Sequence, residues 1–110
     1  MSTRELRAEA RVSISRRGTV KSDGDWFPCM VLDISDSGFQ IVCNEVLRAG
    51  QVLDFKCEIY PGQVLECKIA VRHASELGIG TKIVEIDKKS ASLCQLYLQE
   101  HYSHKLNRST

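Results

Sequence analysis

The chain has 110 residues, a formal net charge of +1 and 43% hydrophobic residues. That suits one small folded domain and excludes a general electrostatic pull toward nucleic acid or membrane. Charged residues make up 26%, too few and too balanced for a disordered chain, and no stretch approaches the roughly 20 consecutive apolar residues of a membrane span.

Residues 1–11, MSTRELRAEAR, are polar and carry no sheet pattern, so they read as a mobile arm; they also lack the apolar segment of a secretory signal. From Val12 the pattern becomes strand-like, with Val12, Ile14 and Arg16 alternating with Ser13, Ser15 and Arg17. KSDGD (21–25) is turn chemistry centred on Asp-Gly. WFPCMVLDIS follows as a second strand, with Pro28 near an edge or at the strand start because it cannot donate to a ladder. DSG (36–38) turns the chain into a third strand, FQIVCN, and RAG (48–50) turns it again. In QVLDFKCEIY, Leu53, Phe55, Cys57 and Ile59 fall on one face and Asp54, Lys56 and Glu58 on the other. YPGQ (60–63) reads as a hairpin turn, after which Leu65, Cys67, Ile69 and Val71 alternate with polar residues. A sixth strand spans about 78–86. The period then changes. Asp87 or Ser90 caps a helix over 88–105, in which Ala91, Leu93, Cys94, Tyr97, Leu98, His101 and Tyr102 share one broad face.

Short strands separated by turns predict a mainly β fold: a small antiparallel barrel of six to seven strands over 12–86, with the helix packed on it or across one mouth. The five cysteines are odd in number and never form CxxC, and four sit in apolar runs, so buried free thiols in a reducing cytosol are expected. No Walker loop, HExxH, nucleophile elbow or paired-carboxylate constellation is present, and His101 with His104 lacks further ligands, so neither catalysis nor a bound metal is expected.

Two short motifs remain. Arg7-Ala8-Glu9-Ala10-Arg11 is an RxxxR on the arm, with Arg4 three residues before it, and Asp33-Ile34-Ser35-Asp36-Ser37-Gly38 is a DxSxxG at a strand end. Arginine presents a planar fork of donors that fits phosphate oxygens, fits the O6/N7 edge of guanine, and stacks on a base. The aspartate can accept from guanine N1–H and N2–H, and glycine permits close ligand approach. Blander readings exist. Arg4, Arg7 and Arg11 at i, i+3, i+7 also suit a solvated helical face with Glu5 and Glu9 as pairs, and DxSxxG alone is often only a side-chain-capped turn. Arg16 and Arg17 suit solvated strand positions, His73 a core or rim position, and Trp26 the core or a barrel edge.

Both motifs together, in this order across strand, turn and strand, resemble the PilZ domain family. Gly80-Thr81-Lys82-Ile83 looks like that family's late GxxF strand with Ile in place of the aromatic, and DKKSASLCQLYLQEHY is similar to its closing helix. The resemblance implies a cytoplasmic, non-enzymatic receptor whose ligand is cyclic di-GMP. Arg7 and Arg11 would grip phosphates and guanine edges, and Asp33, Ser35 and Gly38 would line the guanine pocket. Arg4, Leu6, His73 and Gly80 are further candidate contacts. Many relatives carry a second arginine where this chain has Leu6, which leaves one or two bound ligands open. No metal or cofactor is implied. The implied partner is an effector protein in motility, biofilm or pilus-type output, the chain being a monomer or weak dimer. Two alternatives stay open: a PilZ-fold adaptor that needs no nucleotide, and a small barrel for single-stranded nucleic acid, against which the near-neutral charge and 6% aromatic content count.

Overall fold

Period-two alternation carries the chain through six antiparallel strands in a computed structural model that describes residues 11–109, with side chains through His101. They are β1 (Arg11–Ser22), β2 (Asp25–Ser35), β3 (Gly38–Cys43), β4 (Val52–Tyr60), β5 (Gln63–Ser75) and β6 (Gly78–Ile86), followed by helix α1 (Lys88–Ser109). The order around the barrel is β1-β2-β3-β6-β5-β4, and β4 closes it against β1. The expected mainly β barrel with a C-terminal helix is therefore what forms, with six strands and a helix that runs past 105. Arg11, expected in the arm, is the first residue of β1 and pairs with Ser35 of β2.

The β1–β2 hairpin turns at Asp23 (φ 54°) and Gly24 (φ 88°). Two successive left-handed residues match the twist of the flanking strands, which is why Asp-Gly is favoured there. Pro28 lies opposite Thr19, one residue before β2 begins to pair with β3 at Cys29 and Cys43. Its missing N–H thus falls on a stretch where β2 has a neighbour on one side only.

The inward faces behave as the alternation requires. Leu53, Phe55, Cys57 and Ile59 of β4 and Leu65, Cys67, Ile69 and Val71 of β5 are buried, and the Phe39 and Phe55 rings meet at 4.7 Å. Helix α1 buries Ser90, Leu93, Cys94, Tyr97 and Leu98 against this core. Asp87 caps it, its Oδ1 accepting from the Ser90 amide at 2.7 Å. The Ser90 hydroxyl accepts from the Glu66 amide at 2.9 Å, stitching the first turn to β5. Farther along, the Tyr60 hydroxyl donates to Glu100 at 2.7 Å, and His101 stacks on Tyr97 at 3.8 Å between ring centroids.

One surface expectation changes and one narrows. Arg17 is exposed, but Arg16 is half-buried: its Nε donates to the Ile59 carbonyl at 3.5 Å and its guanidinium lies 6.0 Å from the Tyr97 ring centroid. Arg16 sits past a register shift in β1 and lays its apolar stem along the barrel rim under α1 while its head finds a carbonyl. Trp26 is not a core residue. It is 41% exposed on the outer wall, with Lys56 Nζ 4.7 Å from its ring centroid.

All five cysteines are free, and only Cys43 is not fully buried. Burial holds the Cys29 and Cys67 thiols up at about 12 and the Cys57 and Cys94 thiols up at about 11. An acid whose folded pKa is raised contributes stability that is complete below its unfolded pKa, near 9 for these thiols, and is lost as pH rises through 11–12. Each thiol then costs up to about 1.4 kcal/mol per pH unit. Urea midpoints are therefore expected to hold steady to about pH 9 and fall steeply toward pH 11; a flat profile to pH 11 would contradict the buried placement.

Candidate functional site

The DxSxxG turn is built by its serine. Ser35 is fully buried, and its Oγ accepts from the Gly38 amide at 3.1 Å and the Ser37 amide at 3.3 Å. That hydroxyl also lies 3.2 Å from the Gly38 carbonyl, to which it can donate. A short side chain bonding the backbone two and three residues ahead stabilises a tight turn. Gly38 begins β3 where the backbone runs against β6: a Cβ there would overlap the Thr81 carbonyl. The ladder continues from the turn, the Ile83 amide donating to the Ser37 carbonyl at 2.7 Å. Ser35 and Gly38, expected to line a guanine pocket, thus lie behind the surface and shape it.

Asp33 lies outside. The β2–β3 register shifts between Val31 and Asp33, so Asp33 leaves the inward series and sits between Ser13 of β1 and Gln40 of β3. There its Oδ1 accepts from Arg11 Nη1 at 2.8 Å. The two motifs, 22 residues apart, therefore meet. The side chains remain 50% (Arg11) and 20% (Asp33) exposed, and such a pair contributes only about 0–1 kcal/mol, so its partners can be exchanged at small cost. Arg4, Leu6 and Arg7 lie outside the described residues.

Beside this pair is a concavity of about 570 Å³ lined by Arg11, Ser37, Phe39, Gln40, Arg72, His73, Gly80, Thr81 and Lys82. That volume is in the range of small-molecule sites. A second bulge shapes it. The β5–β6 register shifts between Val71 and His73, so His73 faces Gly80 and both Arg72 and His73 are exposed. Bulges re-aim side chains in this way, which is why His73 leaves the inward series that Val71 closes. Gly80 leaves room for it: the His73 ring occupies the space a Cβ would need. The lining holds Arg11, Arg72, Lys82 and His73 and no carboxylate. A concavity of about 420 Å³ beside Trp26 is lined instead by Asp54, Glu66, Glu85 and Asp87 with two lysines, and suits an anion less well.

A family model for the PilZ domain matches residues 5–100. The chain belongs to the PilZ domain family. Solved structures agree with the fold. The inhibitor of motility MotI of Bacillus subtilis aligns at 15% identity with a TM-score of 0.74, over 94% of this chain and 53% of its own; this chain thus spans about half of that protein's length. The PilZ domain of Escherichia coli YcgR with c-di-GMP aligns at 10% identity and TM-score 0.73, over 94% of this chain and 96% of that one. The PilZ domain of CeSA from a cellulose-synthesizing bacterium aligns at 11% identity and TM-score 0.62, over 86% and 97%. A comparison with curated protein sequences finds no match.

Of the residues singled out from the sequence of this PilZ domain, Arg11, Asp33, His73 and Gly80 come together on one outer wall, with Ser35 and Gly38 beneath. Gln40, Arg72 and Lys82 join them unannounced. Arg72 keeps the outward side that alternation gives it and the bulge turns His73 to that same side, while Lys82 and Gln40 required the β3–β6 pairing, which is non-consecutive in the chain.

Proposed function

We propose that this PilZ domain is a cytoplasmic cyclic di-GMP receptor, in which residues before β1 close over the ligand and change a surface read by an effector protein. The observation that carries the reading is the 2.8 Å contact between Arg11 and Asp33. It sets a cationic fork beside a carboxylate whose Oδ2 has no hydrogen-bond partner among the described residues. Arg11 then serves a phosphate or guanine O6/N7 with its remaining donors, and Asp33 accepts from guanine N1–H or N2–H. Arg7, four residues earlier, brings a second fork on the arm. Ser35 and Gly38 support these groups by holding the turn. The solved complex of the E. coli YcgR PilZ domain with c-di-GMP supports the ligand class.

The same turn touches the helix. Cys94 of α1 donates its S–H to the Ser35 carbonyl at 3.6 Å, so ordering of the turn by a ligand is felt where α1 packs, and α1 is the proposed reporting element. Isothermal calorimetry of Arg7→Ala and Asp33→Ala is expected to show at least tenfold weaker cyclic di-GMP binding for each, about the cost of one charge-assisted hydrogen bond, with a shallower salt dependence for Arg7→Ala. Parent-like affinity in both variants would remove the assigned roles.

A further inference from the structure

Arg72 and Lys82 take no ion-pair partner among the described residues. Several other long cations of this barrel are engaged: Lys68 with Asp54 at 2.7 Å, Lys56 over Trp26, Arg16 on the Ile59 carbonyl. Arg72 and Lys82 instead stand uncommitted in the concavity that no carboxylate lines. Their placement is built by the backbone. Between Val71, which faces Thr81, and His73, which faces Gly80, β5 carries one extra residue, and that residue is Arg72. Lys82 lies on β6 between Gly38 of β3 and Ala70 of β5, so its neighbours across both ladders are small. Gln40 and His73 flank Gly80 on the adjacent row, and the His73 ring lies over that glycine.

We infer that Arg72 and Lys82 form a second phosphate grip on the barrel wall, which takes one phosphodiester of a cyclic dinucleotide while Arg11 takes the other. The inference rests on the receptor reading above and deepens it, since it assigns ligand contacts to the rigid sheet. Two cations in a concavity whose lining holds no carboxylate attract an anion. Arg72 supplies a fork and Lys82 a compact charge.

The test is calorimetric titration of the full chain with cyclic di-GMP at several salt concentrations. Arg72→Gln and Lys82→Gln are each expected to weaken binding about tenfold and the pair about 100-fold, as loss of charge-assisted hydrogen bonds would give, with a shallower salt dependence at each step. Arg72→Lys is expected to restore most of the affinity, and Lys21→Gln, elsewhere on the wall, to leave it unchanged. Thermal melts confirm folding; Lys82→Gln alters only an exposed side chain and carries the test alone if the double variant folds poorly. If the parent binds but Lys82→Gln and Arg72→Gln stay within twofold of it with the same salt dependence, the grip is refuted and the receptor reading stands. If the parent itself fails to bind, both fall together.

Discussion

Replacing Arg11 with alanine is expected to weaken cyclic di-GMP binding by about 100-fold or more, roughly 2.7 kcal/mol. Two effects add. The ligand loses a charge-assisted donor, and the Asp33 carboxylate, which Arg11 contacts at 2.8 Å, is left uncompensated beside an incoming anion. Arg11→Lys separates them. It keeps the charge that neutralises Asp33 but loses the planar fork, so an intermediate loss of about tenfold is expected. Fold stability should change little in either variant, because the free-state pair is half exposed on its arginine side and such pairs contribute at most about 1 kcal/mol. Calorimetry read beside a thermal melt checks both halves; an Arg11→Ala variant that binds as the parent does, or one that melts far lower, would show the contact to be structural.

The largest stability effect is expected from Gly38→Ala. A Cβ at this position would overlap the Thr81 carbonyl and crowd the Lys82 Cα. Both neighbours are backbone in a closed barrel, so no rotamer change relieves the clash, and β3 and β6 must part. That breaks the Gly38–Lys82 pairing, and with it the seat of the Ser37 carbonyl on the Ile83 amide. The cost is expected to be about 3 kcal/mol or more, at the upper end for overpacking, seen as a urea midpoint shift. Ligand affinity should fall as well, since the Ser35–Gly38 hydrogen bonds that shape the turn share this geometry. A variant of parental stability would mean that the strands separate freely there.

The barrel was legible because its inward faces follow period two: β4 and β5 bury the alternating residues from Leu53 to Ile59 and from Leu65 to Val71 without exception. The helix was legible from the change of period after Ile86 and from the Asp87 cap. What alternation could not reveal lies at the register shifts. His73 would continue the inward series of β5, and one extra residue sends it outward together with Arg72. A shift in β1 precedes Arg16, which ends half-buried beside Tyr97 of α1. The site shows the same division. RxxxR and DxSxxG are readable as motifs, and Arg11 does meet Asp33. The fully buried position of Ser35 and the contribution of Lys82 depend on which strands close the barrel, and the β3–β6 contact joins strands that are not consecutive in sequence. Trp26 has the opposite parity to the buried Cys29 and Val31 of β2, so it faces outward, where lysines of β1 and β4 lie over its ring.

The most direct measurement is a titration of the labelled protein with cyclic di-GMP, with GTP and with a short single-stranded oligonucleotide in parallel, run to stoichiometric saturation. Saturable binding to the cyclic dinucleotide alone, with an endpoint of one or two ligands per chain, is the expected result. Binding to none of the three, or saturation by the oligonucleotide in its place, would contradict the receptor account.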